Sequence, residues 1–163
     1  MTNVFLTRLD SPIGRIELLG DDRAVTALTI ERDGVLPHDA EPERSNPVLE
    51  SARAQLLEYF AGTRTAFDVP VRLVGTPFQE AVWAELVRLG WGEATSYGAL
   101  AAAVGKPGSA RAIGGAVGSN PVPILIGCHR VLASDGRITG YSGGNGVPTK
   151  LWLLGHERIG FAA

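Results

Sequence analysis

Short apolar runs separated by turn signals fill the first thirty positions, and the period then changes. Val4–Leu9, Arg15–Leu19 and Ala24–Ile30 are three such runs. Ser11-Pro12-Ile13-Gly14 separates the first two and Asp21-Asp22 precedes the third, so the pattern predicts a β-meander. Residues 32–44 are charged, contain proline and show no period, which makes them a loop. Asn46 followed by Pro47 signals a helix start, and Leu49, Arg53, Leu56, Leu57 and Phe60 keep helical spacing as far as Gly62. Phe67–Val74 reads as an extended strand. No residues before position 75 have catalytic spacing, so this half reads as scaffold.

Thr76-Pro77-Phe78-Gln79 is a capping box, and Phe78, Val82, Leu86 and Leu89 place a stripe on the helix that follows. Ser96 caps a short helix through Val104 that Gly105 ends. Lys106-Pro107-Gly108 is a turn, and Ser109 caps a further helix from Ala110 to Gly118. Two helices joined this way outline a helix-turn-helix, although helical hairpins occur in any α-rich core. The second helix is almost without side chains: Ala112, Gly114, Gly115, Ala116 and Gly118. Each mid-helix glycine costs about 1 kcal/mol relative to alanine, so the composition suits something pressed against the backbone. Another helix and a nucleic-acid groove both meet that description, and Arg111 is the only charge. The apolar, proline-rich stretch 121–127 then reads as an extended strand ending in glycine, which delivers Cys128-His129-Arg130-Val131. Asp135-Gly136 predicts a hairpin between Val131–Leu132 and Ile138–Thr139, Tyr141–Gly144 a loop, and Val147–Arg158 a closing helix.

With 163 residues, 45% hydrophobic and 20% charged, the chain can bury a core as one domain or two small ones. The net charge of −2 argues against a polyanionic partner, but the halves differ. Residues 1–75 carry eight Lys and Arg against twelve Asp and Glu, and residues 76–163 carry seven against five. No apolar run approaches the roughly 18 residues of a membrane span, and Met1–Asp10 lacks the marks of a signal peptide, which predicts a soluble, cytoplasmic protein. A single cysteine excludes an internal disulfide and a multi-cysteine zinc site.

That cysteine is Cys128. A lone cysteine is commonly a small buried hydrophobe, yet this one adjoins His129, the side chain best suited to take a proton near neutrality. Glu157 on the final helix is a candidate partner for the histidine. Adjacent residues on a strand face opposite ways, so a direct Cys128–His129 bond requires a bend or a bridging water. A nucleophile and a buried thiol both remain open on spacing alone.

The run Asn120-Pro121-Val122-Pro123-Ile124-Leu125-Ile126-Gly127-Cys128-His129-Arg130-Val131, followed by Tyr141-Ser142-Gly143-Gly144, resembles the O6-alkylguanine-DNA alkyltransferases. The resemblance extends back through Arg111–Ala116 and Ser96-Tyr97 to Phe78, and forward to Trp152–Glu157. It implies an α+β fold: a small ribonuclease H-like domain over residues 1–75 and a mainly helical winged helix-turn-helix domain over 76–163. It implies repair by transfer of a methyl or alkyl group from guanine O6, or thymine O4, to Cys128, once and irreversibly. His129 takes the thiol proton through water, Glu157 orients His129, Asn120 braces the turn and Tyr97 donates toward the departing base. Val131, Tyr141, Ser142 and Gly143 line the base pocket. Arg111 fills the gap left by a flipped nucleotide, with Ala112, Gly115, Ser134 and Lys106 on the DNA. The implied partner is double-stranded DNA carrying O6-alkylguanine, bound by a protein that is monomeric when free and able to cluster side by side on DNA; no cofactor and no metal are implied.

The sequence departs from the family pattern at Gly127, where proline is usual, which predicts a looser thiol or a roomier pocket. Gly118 and Ser119 are less basic than in many relatives, and the loop Asn145–Thr149 is about two residues longer than in some. The zinc site of some relatives cannot be assembled from one cysteine. The competing readings are a lesion binder, a cysteine hydrolase using Cys128, His129 and Glu157, and a winged-helix regulator; the bare helix disfavours the last, because major-groove reading needs long polar side chains.

Overall fold

The computed structural model describes residues 4–162, so residues 1–3 of the first predicted domain span and residue 163 of the second lie outside it. The meander forms as predicted. Strands β1 (Phe5–Leu9), β2 (Ile16–Gly20) and β3 (Val25–Ile30) make an antiparallel sheet in that order, with Leu9 opposite Ile16 and Ile16 opposite Ile30. Helix α1 (Pro47–Ala61) packs on it. Asn46 accepts the Leu49 amide and Gly62 ends the helix in the left-handed conformation (φ 81°), a shape glycine adopts at no steric cost. The buried face of α1 is Leu49, Ala52, Gln55, Leu56 and Tyr59. Leu57, expected on the apolar stripe, is exposed.

Helix α2 (Pro77–Val87) carries the predicted capping box and buries Val82, Trp83 and Leu86. Strand β4 (Thr95–Ser96) leads into α3 (Tyr97–Ala103), which Ser96 caps, and α4 (Ala110–Gly118) packs against α2 and α3. The expected Ser109 side-chain cap is absent. After a 3-10 turn at Cys128–Arg130, β5 (Val131–Leu132) pairs in parallel with β4, and α5 (Val147–His156) closes the fold two residues short of the predicted end. The result is α+β: a small sheet with its helix, then a helical portion containing a helix-turn-helix.

Three expected strands are not strands. Phe67–Val74 is extended but makes one parallel bridge, Val71 with Val25. Pro70 has no N–H to extend the ladder; its carbonyl accepts from Val25, whose own carbonyl accepts from Arg72. Ile138–Thr139 does not pair back on β5; the tight turn at Asp135-Gly136 exists, but Arg137 bridges Ala162 instead. Residues 121–127 form a folded loop, described below. One continuous apolar core joins both halves, running from Leu18, Val25 and Leu28 through Leu56 and Tyr59 to Val82, Leu100, Ile113, Val131 and Leu153. The Leu28 amide donates to the Pro121 carbonyl at 2.9 Å, which ties β3 to the loop that carries the thiol.

Candidate active site

Asn120 shapes that loop. Its side-chain oxygen accepts from the Val122 amide at 3.0 Å and its amide donates to the Ile126 carbonyl at 2.9 Å, clamping both ends of the turn. Ile124 sits at φ +75°, a conformation that costs a β-branched residue about 1–3 kcal/mol and reverses the chain. Gly127 (φ −76°, ψ 63°) is the centre of an inverse γ-turn closed by Cys128 N–H to Ile126 O at 2.8 Å. Cys128 and His129 therefore leave a turn and enter a 3-10 helix, so the opposite-faces argument for a strand does not apply to them.

His129 is fully buried, and its Nε2 lies 2.6 Å from Glu157 Oε2. A carboxylate accepts, so Nε2 carries the hydrogen and Nδ1 the lone pair. Nδ1 is buried and has no protein partner among the described residues. Burial lowers the His129 pKa against the raising effect of Glu157, so the imidazole is neutral near pH 7. Burial alone would push Glu157 up, but hydrogen bonds from His129 and Arg130 win and hold it at about 2. The thiol of Cys128 is raised by burial, partly offset by Asn120 and Tyr141, whose hydroxyl is 4.0 Å from Sγ. A preformed thiolate is thus disfavoured, and any displacement by this sulfur needs its proton removed as the bond forms.

The sulfur opens onto a cavity of about 310 Å³ lined by Tyr97, Gly114, Val117, Gly118, Cys128, Thr139, Gly140, Tyr141 and Ser142. A neighbouring groove of about 490 Å³ shares Tyr97, Gly114 and Thr139 and adds Arg111 and Ser134. Of the predicted pocket residues, Tyr141 and Ser142 line the cavity, while Val131 and Gly143 do not. Val131 is fully buried and its carbonyl accepts from Lys150 Nζ at 2.6 Å; Gly143 faces a separate groove beside Arg32 and Leu36. Lys106 is exposed on the turn and lines neither space. Helix α4 buries Ile113, Ala116 and Val117 and exposes Arg111, Ala112, Gly115 and Gly118. A Cβ added at Gly115 would meet nothing within 4 Å, and at Gly114 or Gly118 only ordinary contacts at 3.9 and 3.8 Å. Internal packing does not require the small residues on that outer face. Among the described residues, no three His, Cys, Asp or Glu side chains converge as a metal site.

Residues 77–159 match the family described as 6-O-methylguanine DNA methyltransferase, DNA binding domain, and residues 4–73 match its ribonuclease-like domain. The chain belongs to the 6-O-methylguanine DNA methyltransferase family. It is 37% identical over 161 residues to the methylated-DNA–protein-cysteine methyltransferase of Haemophilus influenzae, covering 98% of this chain and 89% of that one. The crystal structure of the Mycobacterium tuberculosis O6-methylguanine methyltransferase superposes with a TM-score of 0.84 at 40% identity, over 96% of this chain and 93% of that one. A structure of the Mycobacterium tuberculosis protein OGT in complex with DNA matches at a TM-score of 0.81 and 41% identity, over 93% and 91% of the two chains.

Within this methyltransferase fold, four residues at the site escape a sequence reading. Arg130 donates to Glu157 from Nε (2.8 Å) and Nη2 (3.1 Å) and to the Leu89 carbonyl from Nη1 (2.8 Å). Lys150, buried in α5, joins the carbonyls of Val131 and Gly140. Tyr59 reaches Glu157 from α1, and Arg32 holds the Gly144 carbonyl at 2.8 Å, so the first half is more than scaffold. The only advance signal was Arg130's place in the quoted motif. Gly127 does not open a looser site: a Cβ there would lie 2.8 Å from both Cδ and Nη1 of Arg130, whose side chain fills that space.

Proposed function

We propose that this protein repairs DNA by transferring a methyl or other alkyl group from guanine O6, and from thymine O4, to Cys128. The observation that carries the reading is the buried His129, whose Nε2–H is committed to Glu157 while its Nδ1 lone pair is left without a protein partner, one residue from a thiol that opens onto a cavity. In the reaction, Sγ attacks the alkyl carbon as the carbon–O6 bond breaks, and the electron pair of that bond passes to the base. The thiol proton passes through water to Nδ1, and Glu157 stabilises the imidazolium. Tyr97, on the cavity wall, donates its hydroxyl proton toward N3 of the departing guanine, so the base leaves neutral; the phenolate then regains a proton from the imidazolium through solvent. The product thioether is a poor leaving group, so each molecule acts once and needs no cofactor.

The partner is double-stranded DNA carrying the lesion. An alkyl carbon stacked inside a duplex cannot reach a buried sulfur, so the base must rotate out. The outer face of α4, with Ala112 and Gly115 unencumbered, suits close approach to a minor groove about 6 Å wide. Arg111 occupies the gap, and Ser134 and Lys106 contact the backbone. In this reading residues 76–163 are the alkyltransferase domain and 1–75 its support. The free protein is a monomer that clusters side by side on DNA in the cytoplasm.

Intact mass after incubation with duplex containing O6-methylguanine tests this. One added CH2, located on Cys128 and absent from Cys128→Ala, is expected. Tight lesion binding with unchanged mass would sink the transfer reading in favour of a lesion binder, and repeated release of the adduct would favour a hydrolase.

A further inference from the structure

We propose that Tyr59, contributed by α1 of the N-terminal half, is a positioning residue for the transfer site, its hydroxyl setting how strongly Glu157 draws on His129. The proposal rests on the relay described under the proposed function. Tyr59 Oη donates to Glu157 Oε2 at 2.7 Å, both side chains are buried, and 98 positions separate them in sequence. The hydroxyl has no freedom to choose another acceptor. Its ring is boxed by Phe60, Phe67, Trp91 and His156 at centroid distances of 5.3, 5.5, 5.4 and 5.0 Å. The backbone is held too, because His156 Nε2 lies 2.7 Å from the Tyr59 carbonyl.

Oε2 receives three donors, His129 at 2.6 Å, Tyr59 at 2.7 Å and Arg130 Nη2 at 3.1 Å, while Oε1 receives Arg130 Nε at 2.8 Å and the Gly92 amide at 3.3 Å. Donors on one oxygen compete for the same electron density. The Tyr59 bond therefore weakens the pull of Glu157 on the imidazole and keeps His129 a base rather than a resting cation. The charged and titratable groups around His129 are Lys150 from α5 and Glu157 at its C-terminal cap, Cys128 and Arg130 from its own turn, and Tyr59 from α1, with Tyr141 beyond the thiol. Among the described residues, Tyr59 alone of these groups comes from the N-terminal half, so the placement of α1 acts directly on the carboxylate that holds the base. Burial raises the Tyr59 pKa far above that of a free phenol, which keeps it a donor throughout the working pH range.

Tyr59→Phe keeps the ring and removes the donor. The experiment measures the pH profile of single-turnover methyl transfer from an O6-methylguanine duplex, together with the NMR titration of the His129 imidazole in the free protein. The acid limb and the His129 midpoint are both expected to rise by about half to one pH unit. In a Glu157→Gln background the same change should move neither, because the hydroxyl acts only through the carboxylate. Profiles and midpoints of Tyr59→Phe that superimpose on wild type would overturn the proposal and leave Tyr59 a packing residue, as would an equal shift in the Glu157→Gln background. If the wild-type protein transfers no methyl group, the proposed function fails, and the His129 midpoint alone decides the role of Tyr59.

Discussion

Replacing Arg130 by methionine keeps an apolar stem under the active-site turn and removes the guanidinium that holds Glu157. That carboxylate is fully buried, and its pKa is lowered from 4.5 to about 2 although burial alone would raise it. The displacement is about 2.5 pH units, and each unit corresponds to about 1.4 kcal/mol, so the site favours the charged form by about 3–4 kcal/mol. Arg130 supplies two of the five donors to Glu157 and the only cationic ones among the described residues. Truncating one partner of a buried pair strands the other charge and costs about 3–5 kcal/mol, the same order as that preference. A group with a depressed folded pKa stabilises the fold above its unfolded pKa and loses that contribution as pH falls through the folded value. The destabilisation of Arg130→Met is therefore expected in full at neutral pH and should shrink as pH drops from about 4.5 toward 2, where a protonated Glu157 no longer needs its partner. Urea unfolding of both proteins across that range measures it. A loss below about 1 kcal/mol at pH 7, or one that does not change with pH, would refute the claim that the stranded charge is the cause.

Gly127→Pro matches the backbone (φ −76°) but places a Cβ against Arg130, so it should destabilise the wild type yet stabilise Arg130→Ala, which clears that space, by about 0.4–1 kcal/mol; denaturant midpoints of the double-mutant cycle read the difference. Asn120→Ala leaves the Val122 amide unpaired in a buried loop and takes from the Ile126 carbonyl one of its two donors, the Cys128 amide remaining, so it should cost about 1–3 kcal/mol, visible in thermal melts. Arg111→Ala is expected to leave the melting temperature unchanged, to slow transfer from a lesion in duplex DNA, and to spare reaction with the free O6-methylguanine base, which needs no flipping; equal slowing of both substrates would place Arg111 elsewhere. Because burial lowers the His129 pKa below 6.5, the unfolded chain binds a proton that the fold excludes. Stability should rise with pH up to that value, and His129→Asn should remove the slope.

Local signals were legible in the sequence because their physics is local. Asn46, the Thr76–Gln79 box, Ser96 and Gly62 act on backbone groups within a few residues, and the meander's turns carry their own instructions. The motif around Cys128 marked the thiol and the histidine, whereas Glu157, far along the chain, was only a candidate partner whose role the resemblance implied. Strands outside the meander were misjudged: Phe67–Val74 and residues 121–127 have extended composition, but a ladder needs a partner, and composition does not say whether one arrives. Ser109 has the right chemistry for a cap and the wrong backbone, at ψ 36°. Tyr59, Arg32 and Lys150 carried no signal, since a tyrosine on an amphipathic helix, a loop arginine and a lysine on a closing helix are ordinary residues until folding brings Glu157, Gly144 and Val131 to them. Sequence alone determined which reactive groups the chain possesses and where its helices begin. Tertiary structure decided which of those groups are dry, which are paired across the two halves and which lone pair is left free, because burial and hydrogen-bond competition depend on neighbours far apart along the chain.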